Sequence, residues 1–437
     1  MAHMGPSEVA LILFGVFALL VIVRVPVAFA LGLACIPVFF IDDRLTPFLL
    51  LNEMLKSYNS FLLLSIPFFM LAANLMNTAG ITDKLINLSR ALVGWLPGGL
   101  GHVSVLVSML FAGISGSSTA EAAGVGGVLI PAMKKQGYDT SFAVSLVACA
   151  AVMGVIIPPS ILMVVWGGVI SVSIGGLFLA GVLPGALMGV SFMVVVYIYA
   201  KRRNYPVYPK PTRKELLSAI GNAILPILTP GIIVGGIVGG FFTPTEASVV
   251  AVLYAMLLGI FIYRRLGIKD LRETMYQSGR FAAISLFCIG TASAFGWLLA
   301  YFHIPQIFVD MVSGWGGGIT SVGFITAFCF LVIGCFIDAI PAIIIVGTIL
   351  SPLAASVGMH PIHFAIIGVI SIAYGLVTPP YGLCLMIACT IGGIKIKEAV
   401  RDTLILFVPM ILVLVFVILV PDAMLWLPRT LMPTLVK

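Results

Sequence analysis

Charge is what this sequence has least of. Only 9% of its 437 residues are Asp, Glu, Lys or Arg, against about 25% in an average soluble domain. A soluble enzyme or signalling module is excluded on that ground. Cysteine is sparse too. The seven present, Cys35, Cys149, Cys288, Cys329, Cys335, Cys384 and Cys389, sit in apolar stretches and form no CxxC pair. They therefore read as packing residues rather than metal ligands or a disulfide frame. The dipeptide Gly-Lys is absent, which excludes a GxxxxGK[ST] phosphate loop and with it ATP hydrolysis by this chain. The opening MAHMG reads as an expression scar with no cleavable signal after it. The net charge of +7 would suggest a nucleic-acid partner in a soluble protein, but in so apolar a chain basic residues report membrane orientation instead.

What is abundant is apolar sequence, at 61%. Runs such as Val9 to Val23, Phe61 to Met76, Leu177 to Ala200, Ala247 to Tyr263 and Leu404 to Val420 approach the ~20 residues that cross a ~30 Å hydrocarbon layer. The expected fold is an all-α polytopic membrane protein. Ten spans are predicted, near 7–23, 26–41, 61–77, 142–165, 177–199, 222–239, 246–262, 281–299, 363–388 and 403–420. Two long apolar segments remain, 102–133 and 320–352. GISGSS interrupts the first and CFIDAIP the second, so each is read as a re-entrant hairpin that enters and leaves on one side.

The interruptions recur. Gly113, Pro131, Gly137, Gly154 and Pro158-Pro159 reappear as Gly334, Pro352, Gly358, Gly375 and Pro379-Pro380, each displaced by 221 residues. Glycine and proline are the residues that break helices, so what repeats is a pattern of breaks. With both hairpins re-entrant, 19 of the 23 Lys and Arg fall on the side of the Lys201 to Lys214 loop, leaving only Arg44, Lys56, Arg429 and Lys437 opposite. That is the asymmetry expected of a cytoplasmic face. The sorting also inverts one half against the other: Lys134-Lys135 follow the first hairpin, while the matching segment Leu353 to Met359 is uncharged. The expected organisation is a first repeat over 1–200, a basic cytoplasmic linker at 201–221 and an inverted second repeat over 222–437. Inverted repeats of broken helices are the architecture of secondary transporters, which bind substrate and coupling ions near the midplane.

Unwound backbone in hydrocarbon needs a partner for its polar groups. At Gly154 to Ser160 (GVIIPPS) and Gly375 to Tyr381 (GLVTPPY), the double proline leaves carbonyls four residues upstream without amide donors. Those carbonyls, with the Ser160 or Thr378 hydroxyl, would make a hard oxygen site of the kind sodium takes; a simple helix kink is the plainer reading. At the first tip Ser115, Gly116, Ser117 and Ser118 precede a helix, a cradle for an anion. At the second, Asp338 can N-cap the following helix, ligate sodium, or do both. Glu121 and Glu246 each stand in a helix's first turn and read as complements to its N-terminus.

SIPFFMLAANLM (65–76), GISGSSTAEAAGVGGVLIPAM (113–133), GVIIPPS (154–160), FFTPTEAS (241–248) and GLVTPPYG (375–382) together resemble the large membrane subunit of tripartite ATP-independent periplasmic (TRAP) transporters of the dicarboxylate type. The resemblance implies sodium-coupled uptake of an organic acid anion across the bacterial inner membrane. It implies an elevator mechanism, a periplasmic substrate-binding protein and a small four-helix membrane subunit, with no organic cofactor and no catalysis. It also implies one sodium site at Gly154, Ile157, Pro159, Ser115 and Ser117, and another at Gly334, Gly375, Thr378 and Tyr381. Substrate is expected between the tips, near Ser115 to Ser118, Asp338 and Thr378. Two rival readings remain. One is a stand-alone sodium/carboxylate symporter. The other is a rhomboid-like serine protease, since Gly113 to Gly116 fits GxSG, but His102, His303, His360 and His363 all fall near membrane boundaries in this topology. A channel suits occluding hairpins less well than alternating access does.

Overall fold

The computed structural model describes residues 5–42, 44–313 and 317–433. Most of the presumed scar (1–4) and Lys437 lie outside them. Every regular element among the described residues is helical. The chain opens with α1 (Pro6–Ile22), α2 (Val27–Ile41), α3 (Pro47–Tyr58), α4 (Ser65–Thr78) and α5 (Ile81–Val93). Then come α6 (Gly99–Ser115) and α7 (Ser118–Lys135), which share the GISGSS tip, α8 (Thr140–Ala151) and α9 (Ile161–Ile170), separated by the first double proline, and α10 (Ile174–Arg203). Next are α11 (Arg213–Val238), α12 (Pro244–Met256), α13 (Ile268–Tyr301), α14 (Ile304–Ser313), α15 (Ile319–Gly334) and α16 (Ala339–Ser356). The last are α17 (Pro361–Gly375), α18 (Leu383–Gly392), α19 (Ile396–Leu419) and α20 (Pro421–Leu431).

Seven of these helical segments are long and apolar enough to cross a membrane: 61–78, α10, α11, 244–262, α13, α16 and α19. The protein is a multi-pass membrane protein. Several helices outrun the apolar stretches that announced them. α13 has 34 residues, about 50 Å at 1.5 Å per residue, well beyond a ~30 Å layer. Its start lies at the Gly267 amide, which donates to Asp270 Oδ2 at 3.1 Å. α11 likewise begins inside the basic loop, where the Thr212 and Glu215 side chains accept each other's backbone amides at 3.3 and 2.8 Å. A helix stops where its end groups find partners, not where hydrocarbon stops.

The helix boundaries keep the 221-residue offset: α7 and α16 begin at 118 and 339, α8 and α17 at 140 and 361. Packing crosses between the halves. α9 lies against α16 and α17, while α18 lies against α7 and α8. The fully buried Trp166 of α9 marks one crossing, with its ring 5.5 Å from Phe330 and 5.3 Å from Phe364. A Cβ on Gly368 would fall 2.5 Å from that indole, so the absence of a side chain there is what seats the tryptophan.

At the basic end a polar network joins the halves again. Arg203, at the end of α10, pairs with Asp139 and reaches Asp402 of α19 at 3.6 Å. Asp402 also accepts from Ser141 (2.6 Å) and Tyr199 (3.1 Å). The Tyr205 hydroxyl donates to Asp139 at 2.6 Å and, with Arg203, holds that carboxyl below the usual aspartate range.

Candidate functional site

The two interrupted hairpins and the two double prolines meet in pairs. At the first junction α6 ends at Ser115, Gly116 turns the chain with φ of 63°, and Ser117 caps α7. The Ser117 hydroxyl accepts the Ala120 amide at 3.4 Å and lies 3.1 Å from the Thr119 hydroxyl. The Ser117 amide donates to the Ser115 hydroxyl at 3.4 Å. The break then closes on this tip, with the Ile161 amide donating to the Gly116 carbonyl at 3.2 Å. A Cβ on Gly116 would sit 2.9 Å from the Pro159 carbonyl oxygen, and one on Gly154 would sit 3.2 Å from the Ser117 carbonyl oxygen. Ser115, Gly116, Ser117, Gly154 and Pro159 therefore come together. The Ile157 side chain points at Gly185 of α10, so only its backbone is available to the junction.

The second junction uses the same device. The Tyr381 amide donates to the Cys335 carbonyl at 3.2 Å, again a break residue giving its N–H to a tip. Gly334 and Gly375 touch through bare backbone: a Cβ on Gly375 would lie 2.5 Å from the Gly334 carbonyl carbon. Asp338 caps α16, its Oδ1 accepting the Ala339 amide at 2.8 Å. The Thr378 hydroxyl donates to the Tyr374 carbonyl at 2.8 Å, which leaves its oxygen free to accept. In both double prolines the Pro-Pro bond is cis.

Fewer carbonyls are free than the prolines alone imply. Val155 O accepts from the Ser160 hydroxyl (2.6 Å), Gly375 O from the Thr378 amide (3.1 Å) and Leu376 O from the Cys384 amide (2.9 Å). Each keeps a second lone pair. What the chain assembles is a set of backbone and hydroxyl oxygens, and among the described residues no three His, Cys, Asp or Glu cluster as a metal centre would need. Such a donor set suits a hard cation better than a soft one.

The two junctions share a neighbour. Both reach α18, where Cys384 has the Ser118 hydroxyl within hydrogen-bonding reach and both Glu121 and Asp338 in its electrostatic surroundings. Glu246 resolves as an N-cap partner, since Thr243 and Glu246 accept each other's amides at 3.3 and 2.8 Å. Glu121 does not. It is fully buried, its carboxylate accepts no backbone amide that would cap the helix, and the side chain beside it is the neutral Ser108 hydroxyl. Its expense at membrane depth was the signal available in the sequence. Of the histidines considered for a protease, His102 lies 13 residues before Ser115 on the same helix, about 20 Å away, and the His363 ring is bonded to the Val417 carbonyl at 2.8 Å.

Comparison with known proteins gives one consistent answer. The family model described as "Tripartite ATP-independent periplasmic transporter, DctM component" matches residues 14–423. The chain is 36% identical over 378 residues to the sialic acid TRAP transporter large permease protein SiaM of Vibrio cholerae, covering 86% of this chain and 88% of that one. It is 34% identical over 434 residues to the C4-dicarboxylate TRAP transporter large permease protein DctM of the same species, covering 94% and 96%. Among solved structures, the YdaH transporter of Alcanivorax borkumensis superposes with a TM-score of 0.54 at 14% identity, over 84% of this chain and 89% of that one. That likeness speaks for the fold alone, a helical transporter fold.

Proposed function

This chain belongs to the DctM component family of the tripartite ATP-independent periplasmic transporters, and from that premise we propose that it is a large permease subunit for sodium-coupled uptake of an organic acid anion. The substrate class is a dicarboxylate, keto acid or sugar acid. Relatives named for sialic acid and C4-dicarboxylate support that class. Its place is the bacterial inner membrane, with a separate small membrane subunit and a periplasmic substrate-binding protein as partners. The chain works as two inverted repeats of about five spans each, whose hairpins and broken helices move together as the elevator. The matched helix boundaries and the cross-packing of α9 and α18 support one moving body.

One observation carries the reading: two tip-to-break junctions, each joined by an amide-to-carbonyl bond and each surrounded by oxygen donors. Sodium binds at the first through Ser115, Ser117 and the backbone of Gly154, Ile157 and Pro159. At the second it binds through Gly334, Gly375, Thr378, Tyr381 and Asp338. Carbonyl dipoles in a site shielded from water stabilise a cation. Bound sodium in turn offsets the charge of an anion resting on the Ser115 to Ser118 tip, where the α7 N-terminus faces it. No lysine or arginine occurs between residues 91 and 133 or between 136 and 200, so this pairing is the available compensation.

The test is uptake of sialic acid and C4-dicarboxylates by proteoliposomes that hold this chain and its small subunit, under an inward sodium gradient. Uptake that requires both sodium and an added binding protein is the expected result. Uptake without binding protein would favour a stand-alone symporter, and uptake indifferent to sodium would remove the two cation sites.

A further inference from the structure

Five glutamates stand in the first turn of a helix among the described residues, Glu8, Glu121, Glu215, Glu246 and Glu398, and all but Glu121 accept the backbone amide of the residue that caps their helix. Glu215 and Glu246 are the third residues of α11 and α12, where each accepts the amide of its capping threonine at 2.8 Å. Glu121 is the fourth residue of α7, beyond the reach of a capping box, and accepts no amide. Its two oxygens are buried, and the side chain placed to donate to them is the neutral Ser108 hydroxyl. Its Oε2 lies 2.6 Å from where a Cβ on Gly154 would be, on the same side as the Ser117 carbonyl oxygen at 3.2 Å from that point.

An ionised carboxylate in such surroundings needs a compensating charge or donor. The helices around it provide none: α6 to α9 and α18 carry no arginine, and their only lysines are Lys134 and Lys135 at the far end of α7. What does surround it is oxygen, from the Ser117 carbonyl and the Ser108 hydroxyl. Oxygen donors around one negative charge, with a single neutral hydroxyl beside it and no cationic side chain, are the coordination chemistry of a small hard cation.

We propose that Glu121 is an anionic ligand of the cation at the first junction, with the Ser108 hydroxyl as its neighbour in the shell. The first site is then a neutral carboxylate–cation pair. The second differs, because Asp338 is exposed and already gives one oxygen to the Ala339 amide. The inference rests on the sodium reading above and adds that the two sites are unequal, the first binding sodium more tightly and the second exchanging it first.

The experiment is a sodium titration of melting temperature for the full chain with its small subunit in detergent, choline holding ionic strength constant. Wild type is expected to rise in a saturable, sodium-selective way. Glu121→Gln should raise the half-saturating sodium concentration of the tighter phase about tenfold or more, equivalent to about 1.4 kcal/mol, with Glu121→Asp between them and Asp338→Asn leaving that phase alone. A second readout leaves the first junction unaltered: infrared difference spectra of Asp338→Asn, which removes the carboxylate of the second junction, should show a shifted carboxylate stretch for sodium against choline. An unchanged tight phase in Glu121→Gln, or no carboxylate shift on sodium binding, overturns the role given to Glu121 while the sodium reading stands. Absence of any sodium response in wild type overturns both.

Discussion

The two junctions are built alike and finished differently. In the first, Ser115, Gly116, Ser118, Glu121, Gly154, Pro159 and Ser160 are all buried. In the second, Phe336, Asp338, Pro379, Pro380 and Tyr381 are exposed, Tyr381 to 43% and Phe336 to 57%. The same backbone connection thus closes one site among side chains and leaves the other open at its rim. Glycines and prolines that share the 221-residue offset fix where these helices break. Side chains that the repeat does not share, Glu121 against Ala342 and Ser160 against Tyr381 under the 221-residue offset, decide how each break is covered.

This comparison can be broken or sharpened in order of effect. Closest contact comes first. Gly375→Ala puts a methyl into the Gly334 backbone and is expected to cost about 3 kcal/mol, read as a large fall in melting temperature and in folded yield. A smaller loss, near 2 kcal/mol, is expected for Gly116→Ala, which combines a left-handed φ of 63° with a Cβ 2.9 Å from the Pro159 carbonyl. If Gly116→Ala proves the costlier, the second junction is the more forgiving of the two. Deleting the hydroxyls separates structure from binding. Ser160→Ala removes a buried bond to Val155 O and should lose about 1 kcal/mol with or without sodium. Thr378→Ala should weaken the sodium dependence of uptake while the protein still expresses and folds, and an unchanged sodium dependence would take Thr378 out of the site.

The smallest effect lies at the basic end. Asp139 has its carboxyl held below the ordinary value of about 3.9 by Tyr205 and Arg203. Its contribution is therefore present above that value and fades as pH falls through the lower folded one. Because the side chain is 53% exposed, the gain is about 1 kcal/mol or less. Asp139→Asn should melt slightly below wild type at pH 7 and match it under acid conditions where Asp139 is protonated.

Much of this was legible in the sequence, for identifiable reasons. Glycine and proline act on the backbone locally, so both breaks, both tips and the cap at Asp338 could be read from residue order. Helix ends in water were less legible, because apolarity marks hydrocarbon and not hydrogen bonding. α13 and α11 accordingly start 13 and 9 residues before the apolar stretches that announced them. The lack of a capping partner for Glu121 was hidden for another reason. Whether a first-turn glutamate caps its helix depends on one position of register and on what Gly154, far along the chain, leaves room for. The partners of the freed carbonyls were hidden likewise, since Cys384 and Ser160 reach back across the turn from residues that composition treats as filler.

The seating of Trp166 has a consequence for how such chains diversify. An indole supplied by residues before the basic loop fills a space vacated by Gly347 and Gly368 after it, and α18 returns the arrangement on α7. Neither half is therefore a portable module. Hybrids made by joining the front of one relative to the back of another inherit mismatched knobs and sockets at their centre, so substitutions at 166, 347 and 368 must be accepted together or not at all.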